Sequence, residues 1–291
     1  YPAHAKFLRT CIARIDPEDA HHADNLSPGD IGRWDLPNAA IEPDRRNPNA
    51  RLIHADACDD LAPLAAALAA FQTLLPHPEA AHVRLLFTRA EEVGFVGAIA
   101  ACKLSTMPPG SRALLLEASR AFPESPVGGG PIVRVGDRAN TFSPELTAAI
   151  TKLSEKLRTN DADAEPTSLP GRPFQVQRKL MPGGVCEASA YLAFGYESAC
   201  VCLPLGNYHN MADLTAVADD KNEDAIANAT VAREFVAADD FHDLVTLLTA
   251  IGLSLGDAEP MTERLDRLHR QRQRILNAPT IFDPDQFQTE A

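Results

Sequence analysis

Positive charge is what this chain is short of: 27 Lys and Arg stand against 40 Asp and Glu, a formal net charge of -13 over 291 residues. Such a surface repels phosphate backbones and anionic headgroups, which excludes nucleic acid and membrane surfaces as main partners and makes cations the better guests. Long apolar runs are missing too. No stretch of about 18 apolar residues occurs, and the opening YPAHAKFLRTCIARID lacks the apolar core of a signal peptide, so a soluble cytoplasmic protein is expected. The six cysteines (11, 58, 102, 186, 200 and 202) show neither paired CxxC zinc spacing nor the density of a small disulfide scaffold, so reduced thiols are expected. Internal repeats and low-complexity segments are also missing. The chain starts with Tyr rather than Met, in mid-pattern, from which an absent N-terminal part is expected.

What is present is alternation. Residues 1–50 are rich in Pro, Asp and Asn, with short apolar pieces at Phe7-Leu8, Ile31 and Trp34 to Pro37, and predict short strands and loops. From Arg51 onward the pattern predicts a strand (Leu52 to Ala57), a helix (Leu61 to Leu75), a strand (His82 to Thr88), a helix (Val93 to Leu104) and strands at Arg112 to Leu116 and Ile132 to Val135. Ser143-Pro144-Glu145 opens a helix to about Arg158, with Ser at the N-cap and Pro in the first turn. A polar loop from Thr159 to Pro170 precedes a strand (Phe174 to Leu180), a helix (Val185 to Phe194), a strand (Ala199 to Leu203) and two helices, near Ala229 to Leu255 and Met261 to Leu276. Strands alternating with helices mean βαβ units, so the expected class is α/β, with a mostly parallel central sheet flanked by helices.

In such sheets ligands bind beyond the carboxyl ends of the strands. Reading off the polar residues there gives Asp59 and Asp60 after the first strand, Glu91 and Glu92 after the second, Glu117 at the end of the third, and His209 after Ala199 to Leu203. Each has an ordinary alternative: Asp59-Asp60 as a helix cap, His209 as a turn residue, Glu91-Glu92 as solvated acids opening a helix. Glu117 is harder to dismiss, because it directly follows Leu114-Leu115-Leu116, a run that belongs in the dry interior of a sheet. Acids from several strands on one rim are electrostatically costly unless a cation compensates them, and carboxylate oxygens with one imidazole suit zinc, cobalt or manganese.

These residues lie in four motifs, ACDDLA, FTRAEEVGFVGA, LEASRA followed by SPVGGGPIVRVGDR, and CLPLGNYHN. In this order they resemble the zinc aminopeptidases with two co-catalytic metals, the clan of the aminopeptidase Y-like, glutamyl-aminopeptidase-like and carboxypeptidase G-like enzymes, over most of residues 51–255. GRWDLP near residue 34 is similar to the end of a small β insertion in such enzymes. The resemblance implies residues 1–50 as a partial β insertion serving as lid or assembly domain, and residues 51–291 as the catalytic domain. It implies further that Asp59 bridges two metals, that Glu92 and His209 ligate one and Glu117 the other, and that Glu91 is the general base. Two zinc ions are thus implied for the full-length parent. Gly128-Gly129-Gly130 would let backbone approach the substrate.

The family's second metal also takes a histidine from an HxD motif upstream of the insertion; His4, His21, His22 and His54 lack that context, and Pro63 stands where the family usually has Gly. The expected function is a metal-dependent aminopeptidase acting on peptides, with a homo-oligomer possible for this resemblance. A carboxypeptidase or amide deacylase on the same metal core, and a catalytically crippled binding protein of the same fold, are the alternatives.

Overall fold

The computed structural model describes residues 25–27, 30, 32–159, 172–217, 222–256 and 261–276. The expected strands within residues 1–24, Ile31 and most of the 159–170 loop lie outside them. The chain divides after Asp35 into two units. In the first, Ser27 and Asp30 close a turn: the Asp30 N–H donates to the Ser27 carbonyl (3.1 Å), and the Ser27 N–H to Oδ2 of Asp30 (2.7 Å).

The second unit contains two sheets. In the smaller, β1 (Ala40–Pro43), β2 (Arg51–Ala55) and β7 (Glu234–Ala237) run antiparallel in the order β1-β2-β7. In the larger, β3 (Arg112–Arg120), β4 (Ile132–Gly136), β5 (Gln177–Leu180) and β6 (Glu197–Leu205) take the order β3-β6-β4-β5. Two of its ladders, β3 with β6 and β4 with β5, are parallel, and β4 meets β6 antiparallel. The α/β class stands, with a mixed sheet.

Helices α1 (Cys58–Leu74), α2 (Val96–Lys103), α3 (Pro144–Thr159), α4 (Glu187–Ala193), α5 (Leu214–Val217), α6 (Glu223–Ala227), α7 (Ala238–Ser254) and α8 (Met261–Leu276) complete the described elements. None is long and apolar enough to cross a membrane. Ser143 caps α3 as its sequence implies, its Oγ accepting from the Leu146 N–H (3.1 Å). β6 is buried along almost its whole length, and Val201, Leu203, Leu205, Leu244 and Leu247 are 1% exposed or less. Each side chain buried so completely contributes roughly 1.5–3 kcal/mol. Small residues set the helix spacing. Ala62, Ala66, Ala67 and Ala70 bury one face of α1, and a Cβ on Gly252 of α7 would lie 2.4 Å from Leu74 Cδ1.

Three expectations need correction. Residues 82–88 form no strand: among the described residues β3 pairs only with β6, so the segment joins no ladder, and Leu86 and Phe87 remain 40% and 53% exposed. Strand identity there depends on a neighbour and not on the local pattern. The expected helix from Ala229 begins instead with β7, which Phe235 and Val236 extend alongside His54 and Ile53 of β2 before α7 starts at Ala238. Glu117 does not end its strand, since β3 continues to Arg120 and Glu117 faces Cys202 in register.

The Gly128-Gly129-Gly130 segment is fastened to α7. Asp240, 1% exposed, accepts from the N–H of Gly128 and of Gly130, both at 2.7 Å, while the Gly129 N–H donates to the Pro126 carbonyl. A Cβ at Gly130 would lie 2.3 Å from the Gln175 carbonyl oxygen, so only glycine fits this close approach. Asp240→Ala orphans both N–H groups and is expected to cost about 2–4 kcal/mol. Urea unfolding with fluorescence detection checks this; a loss below about 1 kcal/mol would mean that water satisfies both donors.

Candidate metal centre

Three loops converge at the rim of these sheets. The first leaves β2 and carries Asp59, whose peptide bond to Asp60 is cis; the helix becomes regular only beyond these two residues, where the Leu61 N–H reaches the Ala57 carbonyl. The second contains Glu91 and Glu92. Its shape follows from the sequence EEVGF: the Glu91 carbonyl accepts from the N–H groups of Gly94 and Phe95, and those of Ala90 and Arg89 accept from Val96 and Gly97, which satisfies the first turn of α2. A Cβ on Gly97 would meet the Arg89 carbonyl at 2.3 Å. Thr88 anchors the loop to α4 by donating to Oε1 of Glu187 (2.7 Å).

The third loop, Gly206-Asn207-Tyr208-His209-Asn210, follows β6. Asn207, His209 and Asn210 all have positive φ (51°, 56° and 58°), a conformation that asparagine tolerates best among residues bearing a Cβ. Both asparagines also pin the loop. Asn207 donates to the Arg233 carbonyl (2.8 Å), and Asn210 to the carbonyls of Asp56 (2.9 Å) and Ala232 (3.2 Å). The Tyr208 and His209 rings stack at 3.9 Å.

Together the loops bring one ligand atom each of Asp59, Glu92 and His209 within 4.8 Å of one another. His209 Nε2 is 3.9 Å from Glu92 Oε2, and both side chains are open to solvent, 47% and 62% exposed. A cavity of about 260 Å³ lies against them, lined also by Asp56, Asn210 and Glu234. Glu91 is not among the residues that line this cavity; burial, then Glu92 and Glu187, push its carboxyl up to about 7. Burial, then Glu92, Glu234 and Glu91, push Asp59 up to about 8. Two carboxylates and one imidazole facing a shared opening, with two acids resisting ionisation in the absence of a cation, form a donor set that fits a divalent metal.

Glu117 is not brought into this group. Its carboxylate is ion-paired with Nη1 of Arg134, and among the described residues its nearest possible co-ligands are Cys186 and Cys200. His54, the described member of the four histidines without HxD context, lies on β2 against Phe235, ring centroids 5.4 Å apart. Gly128 to Gly130 direct their N–H groups inward to Asp240 and Pro126, as described above.

The sequence reading missed Glu234. This residue heads β7, is 3% exposed, and accepts from the N–H of Asp59 (2.9 Å), with the backbone N–H groups of His209 and Asn210 near enough to offset part of the rise that burial causes in its carboxyl. One buried carboxylate therefore ties the Asp59 loop to the His209 loop. The signal was a lone acid before the apolar run Phe235-Val236-Ala237.

A family model described as M42 glutamyl aminopeptidase matches residues 37–225. Among solved structures, aminopeptidase APDkam598 from the archaeon Desulfurococcus kamchatkensis superposes with TM-score 0.57 at 18% identity, covering 82% of this chain and 57% of that one. PhTET1-12s, a dodecamer, gives TM-score 0.51 at 18% identity over 74% of this chain and 54% of that one. A TET aminopeptidase from a thaumarchaeal marine-sediment archaeon gives 0.51 at 15% identity over 73% and 51%. The chain thus shares their fold and spans about half their length. No curated protein matches the sequence.

Glu234→Gln keeps the side-chain shape but weakens the acceptor that aligns two ligand-bearing loops. Zn2+ affinity, measured by competition with a chromogenic chelator, is expected to fall about 10- to 100-fold with secondary structure retained. An unchanged affinity would mean that the loops hold their shape without this clamp.

Proposed function

This chain belongs to the M42 glutamyl aminopeptidase family, and from that premise we propose that it is a metal-dependent aminopeptidase that removes N-terminal residues from peptides. The observation that carries the proposal is the convergence of Asp59, Glu92 and His209 from three separate loops, with Glu91 adjacent in the chain. Asp59, Glu92 and His209 would hold the metal. Zinc suits this set, with cobalt and manganese as substitutes.

When bound, a divalent ion there supplies Lewis acidity that acidifies a water and polarises the peptide carbonyl. The chain's own residues do the rest. Glu91 accepts the proton of the attacking water and passes it to the leaving amine, a task for which a carboxyl raised toward neutrality by its surroundings is suited. Adjacent residues at a turn can point apart, so that Glu91 serves the proton while Glu92 serves the metal. Tyr208, stacked on His209, orients the imidazole. The cavity's acidic lining favours a substrate whose free α-amine is protonated. Gly128 to Gly130 could meet substrate only through carbonyls or Cα surface, because their N–H groups are engaged.

The proposal includes a homo-oligomeric assembly, since PhTET1-12s is a dodecamer. A reducing cytoplasm is proposed as its compartment, in keeping with free thiols at Cys58, Cys102, Cys186, Cys200 and Cys202. The test is hydrolysis of aminoacyl-anilides by the metal-loaded protein: free-amine substrates are expected to be cleaved and their N-acylated counterparts spared. Glu91→Gln is expected to lower kcat by about 100- to 10,000-fold while metal binding persists. Equal cleavage of N-blocked substrates would remove the aminopeptidase assignment.

A further inference from the structure

We infer that the buried guanidinium of Arg134 takes the place beside Glu117 that a second metal would need, so that the chain binds one divalent ion, at Asp59, Glu92 and His209. This rests on the metal-dependent function proposed above and departs from the two-metal arrangement implied by the sequence resemblance.

Arg134 sits in β4 and Glu117 in β3, on either side of β6. Register puts Arg134 opposite Cys200 and Glu117 opposite Cys202, so by the two-residue alternation of strands all four lie on one face. The Arg134 side chain crosses that face to reach the Glu117 carboxylate, and its Nη1 also donates to Ser119 Oγ (3.3 Å). Arg134 is 3% exposed, yet a guanidinium cannot shed its charge as a buried lysine does.

A cation is therefore already fixed at Glu117. Among the described residues, the group that could offer donors to a metal there is Glu117 with Cys186 and Cys200. Both thiols, and Cys202 beside them, feel the Arg134 charge, so a dication at that point would face a permanent positive neighbour in a dry interior. The same charge is felt at Glu91, so Arg134 acts on the proton-transfer side of the site. Its Nε is buried with no partner among the described residues, leaving a donor directed into the interior. The second-metal donor set does not fit here, and Glu117 is a positioning residue held by Arg134.

The experiment is a zinc count per chain, by elemental analysis of the full 291-residue protein loaded with Zn2+ and dialysed, in wild type, Glu117→Gln and Glu92→Gln, using variants that retain the native circular dichroism spectrum. One zinc is expected in wild type and in Glu117→Gln, with at least a tenfold loss of affinity in Glu92→Gln. Urea unfolding of Glu117→Gln, Arg134→Met and the double variant adds a readout that metal counting does not: each single change lowers the midpoint, and the double change lowers it by less than the sum. Two zinc ions in wild type overturn the inference and leave the metal-dependent function standing. A single zinc lost in folded Glu117→Gln, or strict additivity in the unfolding cycle, also overturns it. No zinc in wild type removes the metal-dependent function itself and the inference with it.

Discussion

Buried and half-buried carboxylates are costly, and the segments at and around the candidate centre are organised by how each acid is answered. Glu234 is answered by the Asp59 N–H, with those of His209 and Asn210 close by. Asp240 is answered by two glycine amides, Asp243 by Arg172 (2.5 Å) and Glu117 by Arg134. Asp59 and Glu91 have no such answer among the described residues, and both are pushed well above the usual carboxylate range. An acid that costs free energy without a compensating partner survives in a fold when something outside the chain supplies the charge. Burial raises the answered Glu234, Asp240 and Asp243 as well, Asp240 to about 7, so what sets Asp59 and Glu91 apart is the lack of a hydrogen-bonding partner among the described residues and not the direction of the shift.

Backbone strain follows the same division. Ala90 precedes Glu91 at φ 59°, and His209 and Asn210 lie in the left-handed region at 56° and 58°. Each such residue costs of order 1–3 kcal/mol and persists only where its surroundings overdetermine it. Those surroundings can be named: the Asn207 and Asn210 amides, the Glu234 carboxylate, and the N–H groups of Gly94 to Gly97 that close on Glu91, Ala90 and Arg89. Gly206 is the pivot, because its exchange of backbone hydrogen bonds with Phe235 leaves no room for a Cβ, which would fall 2.0 Å from the ring.

Elements whose signal was local could be read from the chain. Leu114 to Leu116 and Ala199 to Leu203 are apolar runs that form strands as expected, the second buried throughout and the first, on the edge strand β3, only half-buried, and Ser143-Pro144 announces its helix. The acids and histidine that converge, Asp59, Glu92 and His209, were legible because each follows a predicted element in a short motif. What escaped was non-local. Residues 82–88 have strand composition but no ladder, and Glu234 to Ala237 were absorbed into the helix that follows because no Gly or Pro separates them. Glu234 gains its meaning only from Asp59, 175 residues away. Arg134 was visible as a charge inside Ile132-Val133-Arg134-Val135, a place where only a committed partner makes arginine tolerable, but the partner lies two strands across.

A fixed guanidinium and a bound metal are not equivalent answers to the same carboxylate. The guanidinium offers five donors and no exchangeable coordination position, so it can hold Glu117 and bias a developing charge but cannot acidify a water. A metal does both, at the cost of a pH-dependent affinity and a need for correctly spaced donors. Under the proposed function a chain with Arg134 beside Glu117 would assign the two tasks to different groups: water activation to the open side, where His209 and Glu92 are 47% and 62% exposed, and charge balance to the buried side, where Arg134 is 3% exposed. Glu91 feels both sides: burial raises its proton affinity first, Glu92 and Glu187 add to that, and the Arg134 charge offsets a smaller part.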